Sequence, residues 1–441
     1  MSDVKLNRDF EERPYWHATM PKLPDRSGRR LPDTADVVVI GGGYTGIAAA
    51  RKLALQGARP VVLEAETLGF GGASRNGGLV LPGYKWGYTA LKRRYGPELG
   101  RTLYTETLDA VAFLGGLIRD QGIDAEYRET GAFDVAWAPV HADEFAQAAS
   151  DLAEVGVSAR VVPKAEMRTE IGSDAFHGGL LIEAGGVLHP GKWFAGLVGL
   201  AERAGVELHE GVRARRPRRQ ADGRFVVETN RGAILARDVL VATNGYTDAA
   251  APAARRRLVA IGSYIIATEP LPEDLVRELS PNMRAYADTR NFLNYWHISA
   301  DRRMIFGGRV SFIPTTIRRT ARLLHRRLLE VHPQLADYRV EYAWGGKVAL
   351  AMDRMPHVVR QGGVAFCGGY AGHGVVLSTW LGTRTAEWMG GGAPPTVARL
   401  RFPLIPAPYE GRAWFMPLLG EAFRAQDRLD ARKSPKESPA E

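Results

Sequence analysis

Asp36-Val-Val-Val-Ile40 runs straight into Gly41-Gly-Gly-Tyr-Thr-Gly46, and this junction decides the fold. Four apolar residues in a row suit a strand buried on both faces, as in a parallel sheet. The glycines at 41, 43 and 46 fit G-x-G-x-x-G, and Ile47 to Gln56 follows with small residues on one face. Gly57 then stands where a helix C-cap is expected. In such a unit the first glycine makes the tight turn. The second lets the backbone approach a pyrophosphate, and the third lets helix and strand pack closely. A pyrophosphate on the helix start meets free N–H groups at the positive end of the helix dipole. A second apolar strand, Arg59 to Leu63, ends at Glu64-Ala65. A carboxylate there accepts hydrogen bonds from both ribose hydroxyls and repels a 2′-phosphate. The expected ligand is a dinucleotide with an unphosphorylated adenosine ribose, held by Gly41, Gly43, Tyr44, Thr45, Gly46, Glu64 and Ala65.

Outward from this unit, two further glycine-rich stretches favour FAD over NAD. Leu68-Gly-Phe-Gly-Gly-Ala-Ser-Arg-Asn-Gly-Gly78 follows the second strand and offers small side chains and many backbone N–H groups to a flat ring. Cys367-Gly-Gly-Tyr-Ala-Gly-His-Gly374 lies far along the chain, after the strand Val364 to Phe366 and before a helical stretch, Val375 to Trp388. A helix start aimed at the flavin N1–O2 edge favours the anionic reduced state. Residues 88–120 and 189–204 read as helices, 126–137 and 206–243 as strands, and 258–312 as strands joined by hairpins.

The remaining composition narrows the class. The chain has 441 residues, too long for one ordinary domain. Its 50 glycines are about 11%, against roughly 7% usually, with no three-residue period. One cysteine, Cys367, excludes an internal disulfide and a Cys-based zinc site. The N-terminus carries no apolar leader and no run reaches the roughly 18–20 apolar residues of a membrane span, so a cytoplasmic location is expected. The net charge of +9 points to anionic partners. The cluster Arg318 to Arg327, however, interleaves Arg with Leu323, Leu324 and Leu328 at helical spacing. That is an amphipathic surface helix and argues against a nucleic-acid patch. No H-E-x-x-H or G-x-S-x-G is present, so no metal site and no acyl transfer are expected.

The order of DVVVIGGGYTG, VVLEAETLGFGGASRNGG, SYIIATEPL, Trp344-Gly-Gly, Asp353-Arg-Met-Pro356 and GGYAGHG resembles the FAD-dependent amine and D-amino-acid oxidase family, from about residue 15 to about 425. This is the group of glycine oxidase, sarcosine oxidase and gamma-glutamylputrescine oxidoreductase. RPYWHATMP and Ser74-Arg-Asn-Gly-Gly78 look most like the last branch. The resemblance implies an α/β fold, a Rossmann-type FAD-binding domain interleaved with a mixed-sheet α+β substrate domain. The FAD domain would take 30–85, 166–245 and 341–425, and the substrate domain 86–165 and 246–340. Residues 1–29 and 426–441 would be peripheral or disordered. Position by position it implies FAD contacts from Ala73, Ser74, Arg75, Asn76, Gly77 and Gly78, from Ala214, from Thr243, Asn244 and Gly245, and from Gly369, Gly372, His373, Gly374 and Val375. Relatives with covalent flavin use a Cys in the stretch matching Gly345-Gly-Lys-Val348. None stands here, so non-covalent FAD is expected. Where relatives often carry Tyr-Tyr-Arg for a carboxylate, this chain has Asn294-Tyr-Trp-His297.

The implied reaction is oxidation of a C–N bond of an amine or amino acid, by hydride transfer to flavin N5 and hydrolysis of the imine. Oxygen or an electron carrier would take the electrons. Tyr264, Tyr295 and Trp344 are candidate aromatic walls, Arg290 and Arg309 candidate anchors for a carboxylate, and His297 a candidate polar contact. No catalytic side chain is assigned, since flavin N5 does the chemistry with His373 nearby. Two other readings are a tRNA-modifying flavoenzyme acting on an aminoalkyl-uridine and a non-catalytic FAD-binding module.

Overall fold

The computed structural model describes residues 10–309, 315–409, 411 and 413–431. Two eight-stranded sheets dominate it. In the first, the strands Val364–Gly368, Gly232–Val241, Thr34–Ile40, Pro60–Leu63 and Glu207–His209 lie parallel in that order. His357–Gln361 adds an antiparallel edge, and Phe225–Thr229 folds back on Gly232–Val241. The apolar run of the opening motif is explained by burial on both faces. Val37 and Val39 join the helices Tyr44–Leu55, Pro190–Arg203 and Gly374–Met389 on one side. Val38 and Ile40 meet Phe225 and Val227 on the other. The first and last of these helices touch closely, because a Cβ at Gly382 would fall 2.5 Å from the carbonyl oxygen of Thr45.

The second sheet is mixed, in the order Val340–Leu350, Val259–Thr268, Met304–Gly308, Asn294–Ile298, Ala285–Asp288, Ala132–Val135, Gly178–Ile182 and Ala159–Pro163. Only Ala285–Asp288 and Ala132–Val135 pair in parallel. One face packs an aromatic stack, in which Trp296 lies on Phe176, Tyr286 and Phe306 at ring separations of 5.9, 5.4 and 5.7 Å. The arginine-rich helix Ile317–Val331 covers this face with Ala321, Leu324 and Leu328, while Arg319, Arg322 and Arg326 stay exposed.

Three differences from the sequence reading concern boundaries. Gly178–Ile182 and Val340–Leu350 fell in the expected FAD pieces 166–245 and 341–425, yet they pair in the second sheet. Short apolar strands fit either sheet, and only their partners decide. Residues 88–120 form two helices, Tyr88–Tyr95 and Pro97–Asp120, broken at Gly96 with φ +83°. Although expected within the substrate piece 86–165, they pack through Leu91, Leu103 and Leu114 into the core shared with the Gly374–Met389 helix. The third concerns the ends. Residues 1–29 were expected to be peripheral, but from Phe10 onward this segment is built in. Glu11 pairs with the Val340–Leu350 strand, Trp16 is 1% exposed, and Arg26 is buried against Glu202 at 2.8 Å. At the other end the helix Met416–Asp430 continues past 426, and its Asp427 accepts hydrogen bonds from the backbone and side chain of Asn291. Residues 1–9 and 432–441 lie outside the described residues.

Candidate functional site

Three turns converge where the carboxyl ends of the parallel strands face the second sheet. In the first, Gly41 has φ +113°, and a Cβ there would sit 2.8 Å from the Ala242 carbonyl. At Gly46 a Cβ would lie 2.0 Å from the Gly41 carbonyl. Gly43 is different: its φ is ordinary, and a Cβ would meet nothing nearer than Ala73 Cβ at 3.9 Å. Gly43 is also the N-cap of Tyr44–Leu55 and supplies no side-chain cap, so the first helical N–H groups keep their donors for an anion. Tyr44 and Thr45 are buried with their hydroxyls engaged, Tyr44 on the Pro190 carbonyl at 3.1 Å and Thr45 with Tyr370 at 2.7 Å. Their side chains hold the core, and the backbone is what faces a ligand. The Glu64 carboxylate accepts from the N–H of Gly42 at 2.8 Å and of Glu66 at 3.0 Å, with Ala65 between. Burial raises its pKa. Ala214, buried, forms a bridge to Thr229 beside this strand end.

The second turn, 72–78, is held from outside by its carbonyls. Trp344 Nε1 donates to Arg75 O at 2.9 Å, Trp16 Nε1 to Asn76 O at 2.8 Å, His297 Nε2 to Gly77 O at 2.9 Å, and the Leu188 N–H to Gly78 O at 2.8 Å. Of the N–H groups between these carbonyls, that of Gly78 donates to Asn76 Oδ1, while those of Asn76 and Gly77 meet no protein acceptor among the described residues. Asn76 ties the turn from within through Gly72 O, Ala73 O and the Gly78 N–H. Ser74 donates to Gly69 O at 2.7 Å, so its one proton is spent and His17 Nε2 must donate to Ser74 Oγ at 2.6 Å. Burial, with Arg75 and Arg13 nearby, pushes His17 down to about 4, which leaves it neutral.

The third turn joins Thr243-Asn244-Gly245 to the late glycine cluster. Asn244 Oδ1 accepts from the Gly369 N–H at 2.9 Å, and a Cβ at Gly245 would press on the Lys347 carbonyl at 2.8 Å. Gly369 and Gly372 have φ +88° and +110°. His373 caps Gly374–Met389 without a side-chain bond, with Val375 buried behind it. Burial, then the charges of Lys85 and Arg309, lower His373 to about 3. A Cβ at Gly372 would have only the Arg309 guanidinium near it, at 3.9 Å. Open space at Gly43 and Gly372, beside crowded Gly41 and Gly46, fits an extended dinucleotide with a flat ring.

The second sheet closes the site with the face away from its aromatic core. Register sets Asp134, Ala287, Tyr295 and Gly307 side by side across four strands, with Arg309 two residues beyond. Tyr295 packs on Gly77, where a Cβ would lie 2.6 Å from its ring, and shares a hydrogen bond with Ser263 at 3.2 Å. Tyr264, one residue out of step with this row, lies on the opposite face, against the aromatic core and beneath the helix Ile317–Val331. Arg309 is 9% exposed and meets no carboxylate within ion-pair range among the described residues.

Four residues expected to touch substrate do other work, Tyr264 by packing in the aromatic core. Trp344 and His297 hold the 72–78 turn, as above, and burial lowers His297 to about 4. Arg290 lies on the far face, where it pairs with Asp288 at 3.2 Å and Glu330 at 3.4 Å and stacks on Trp137. Alternation along a strand separates it from Tyr295, a parity the irregular stretch 289–293 conceals in sequence. Sequence reasoning also missed Trp16, His17, Lys85 and Asp134. For Asp134 a signal existed, a lone carboxylate inside the apolar strand Ala132–Val135. Cys367 is buried against the Tyr370 hydroxyl, and its thiol is pushed up to about 11. Among the described residues no cluster of His, Cys, Asp or Glu is placed to hold a metal, and no helix is long and apolar enough to cross a membrane.

Comparison with known proteins places this geometry in a family. Residues 36–388 match the profile of FAD dependent oxidoreductases. The chain is 31% identical over 402 residues to gamma-glutamylputrescine oxidoreductase of Escherichia coli (strain K12), covering 90% of this chain and 93% of the relative. It is 30% identical over 420 residues to the probable oxidoreductase OrdL of Rhizobium meliloti (strain 1021), with 94% and 97% covered. Among solved structures, glycine oxidase from Geobacillus kaustophilus superposes with a TM-score of 0.69 at 18% identity, covering 82% of this chain and 96% of that one.

Proposed function

The chain belongs to the FAD dependent oxidoreductase family and is an FAD-dependent oxidoreductase enzyme, and from this we propose that it oxidises a C–N bond of a carboxylate-bearing amine to an imine that water hydrolyses. The observation that carries the reading is Arg309, a desolvated guanidinium beside Gly372 that no carboxylate among the described residues answers. Bound FAD supplies a two-electron acceptor for the hydride of the carbon beside nitrogen. The dinucleotide would lie along Gly41, Gly43, Gly46 and Glu64, its ring between the 72–78 turn and Gly369–Val375.

The protein's part is to bind, orient and keep water out. Tyr295 provides a flat wall that aligns the reacting carbon, and Arg309 fixes the substrate's anionic group. The amine must present its lone pair, and desolvation in the recess lowers the pKa of a bound ammonium. Each turnover then moves one hydride and one proton from the substrate, and water delivers the oxygen of the carbonyl product. Oxygen or an electron carrier receives the electrons afterwards. The 345–348 stretch is Gly-Gly-Lys-Val, without a thiol, which supports non-covalent FAD.

The test is an anaerobic screen of amines against the yellow holoenzyme, following loss of the flavin's visible absorbance. Bleaching by a carboxylate-bearing amine and not by simple alcohols is expected. Failure of every amine would remove this reading. Acid precipitation should release the flavin intact.

A further inference from the structure

Residues 10–20 run as a strap from the second sheet to a helix that packs on the first. At one end Phe10 is buried in the aromatic core, and Glu12 pairs with Arg318 of the covering helix at 3.0 Å. The Glu11 N–H donates to Glu341 O at 2.8 Å, and Glu11 O accepts from the Ala343 N–H at 3.0 Å. The strap thus lies along the edge strand Val340–Leu350. At the other end it presses on the start of Pro190–Arg203. A Cβ at Gly191 would fall 2.9 Å from Trp16 O and 2.8 Å from Met20 Cβ. Between the ends stands Tyr15–Thr19, a helix of five residues without a side-chain cap. So short a helix does not hold itself, and tertiary contacts must do so.

Two of those contacts are with the 72–78 turn. Trp16 Nε1 donates to Asn76 O at 2.8 Å, and His17 Nε2 to Ser74 Oγ at 2.6 Å. Both acceptors are in reach only while the turn keeps its shape, and the protein alone leaves that shape incomplete. Gly77 is buried, yet its N–H and that of Asn76 meet no protein acceptor among the described residues. Unanswered donors favour loosening of the turn until a ligand accepts from them. We propose that residues 10–20 are a cofactor-gated strap. Bound FAD completes the turn, the completed turn presents Asn76 O and Ser74 Oγ, and the strap then closes on it and slows release of FAD. Trp16 and His17 are positioning residues in this device, acting on the cofactor through the turn. The proposal rests on the reading above that the flavin lies against this turn. Binding linkage is reciprocal, so whatever FAD adds to docking of the strap, the strap adds to retention of FAD. Loosening the far end at Glu11, whose hydrogen bonds among the described residues go to Glu341, Ala343 and Arg13, is therefore felt by the cofactor.

Hydrogen exchange read by mass spectrometry compares the holoenzyme with protein stripped of FAD. The amides of Glu11, His17 and Met20 are hydrogen-bonded in the docked strap and should exchange about tenfold faster without FAD. Those of the paired strands at Trp296 and Phe306 should keep their protection, and restored FAD should restore the strap. Equal protection of residues 10–20 with and without FAD would overturn the proposal. If residues 72–78 alone gain protection, the flavin keeps its place and only the strap is lost. If they gain none, the flavin's placement falls and the strap with it. Where removal of FAD costs the paired strands their protection as well, retention in the holoenzyme decides. Glu11→Pro deletes the N–H that meets Glu341 O and leaves every partner of the turn in place. FAD should leave this variant about fivefold faster than the wild type, the worth of one hydrogen bond. The off-rate is read on dilution into a flavin-binding scavenger, and melting in excess FAD should stay near normal. An unchanged off-rate would mean that Trp16 and His17 grip the turn locally, which ends the proposal. Melting that falls together with retention would assign the loss to the sheet edge and would also count against the strap.

Discussion

Two glycines of one motif do opposite jobs, and single methyl groups tell them apart. Gly43→Ala places its Cβ in space that only Ala73 approaches, at 3.9 Å, with a φ that any residue adopts. The variant should express and fold normally but retain little flavin, because the methyl occupies the pyrophosphate's path. Gly46→Ala drives a Cβ to 2.0 Å from the Gly41 carbonyl and should lose folded protein as well as flavin. Circular dichroism and the ratio of flavin to protein absorbance, taken together, separate the two outcomes. Asp134 makes a second residue-scale prediction. Burial, only partly offset by Lys85, pushes its carboxyl up to about 6. A raised acid favours the folded state fully below its unfolded pKa of about 3.9, and loses that contribution as pH rises through the folded value. Asp134→Asn should therefore melt above the wild type at pH 7.5, with the gap closing towards pH 4. A variant that melts lower at pH 7.5 would mean that the carboxylate has a structural partner.

At the scale of elements, the 72–78 turn shows what local sequence hides. Its composition announces a ligand loop, but the groups that orient it come from residues 16, 297 and 344. Trp16 lies in the helix Tyr15–Thr19, whose Thr19 hydroxyl meets His189 Nε2 at 2.8 Å, while His189 Nδ1 accepts the Lys192 N–H and caps the next helix. Neither the indole's partner nor its burial can be read from RPYWHATMP. An aromatic strand residue such as Trp344 likewise looks the same whether it walls a pocket or anchors a turn. The opening strand–turn–helix, by contrast, was legible because backbone sterics fix its glycines locally. Trp16→Phe keeps the packing and removes one donor, at a cost of about 1 kcal/mol. FAD should then dissociate about fivefold faster, measured by dilution into apoprotein of a flavin-binding scavenger, with near-normal melting of the holoenzyme. An unchanged off-rate would show that the turn holds its shape without the indole.

At the scale of the molecule, the two-sheet architecture followed from motif order, whereas the assignment of Gly178–Ile182 and Val340–Leu350 to a sheet did not. Gly178–Ile182 pairs with strands 15 to 50 residues before it and Val340–Leu350 with one 72 to 91 residues before it, and no local pattern encodes either partner. Net charge, however, is fully legible, and it has a kinetic consequence. The chain carries +9, and the two negative charges of a bound pyrophosphate leave the sum positive. Around Lys85, the three cations Lys85, Arg309 and Arg354 outnumber Asp134 and Asp288, while His373 is neutral. A cationic amine therefore approaches against a repulsive field. The Debye length falls from about 30 Å at 0.01 M salt to about 8 Å at 0.15 M, which hides most of that field from a substrate still in solution. At pH 7.5 and low concentration, flavin reduction by the monocation N-acetylbutane-1,4-diamine should speed up about two- to fivefold over this range. The limiting rate at saturation, set inside the screened recess, should barely move. Rates that fall with salt would mean that the substrate's path is lined by an attractive, acidic surface, and that the basic face points elsewhere.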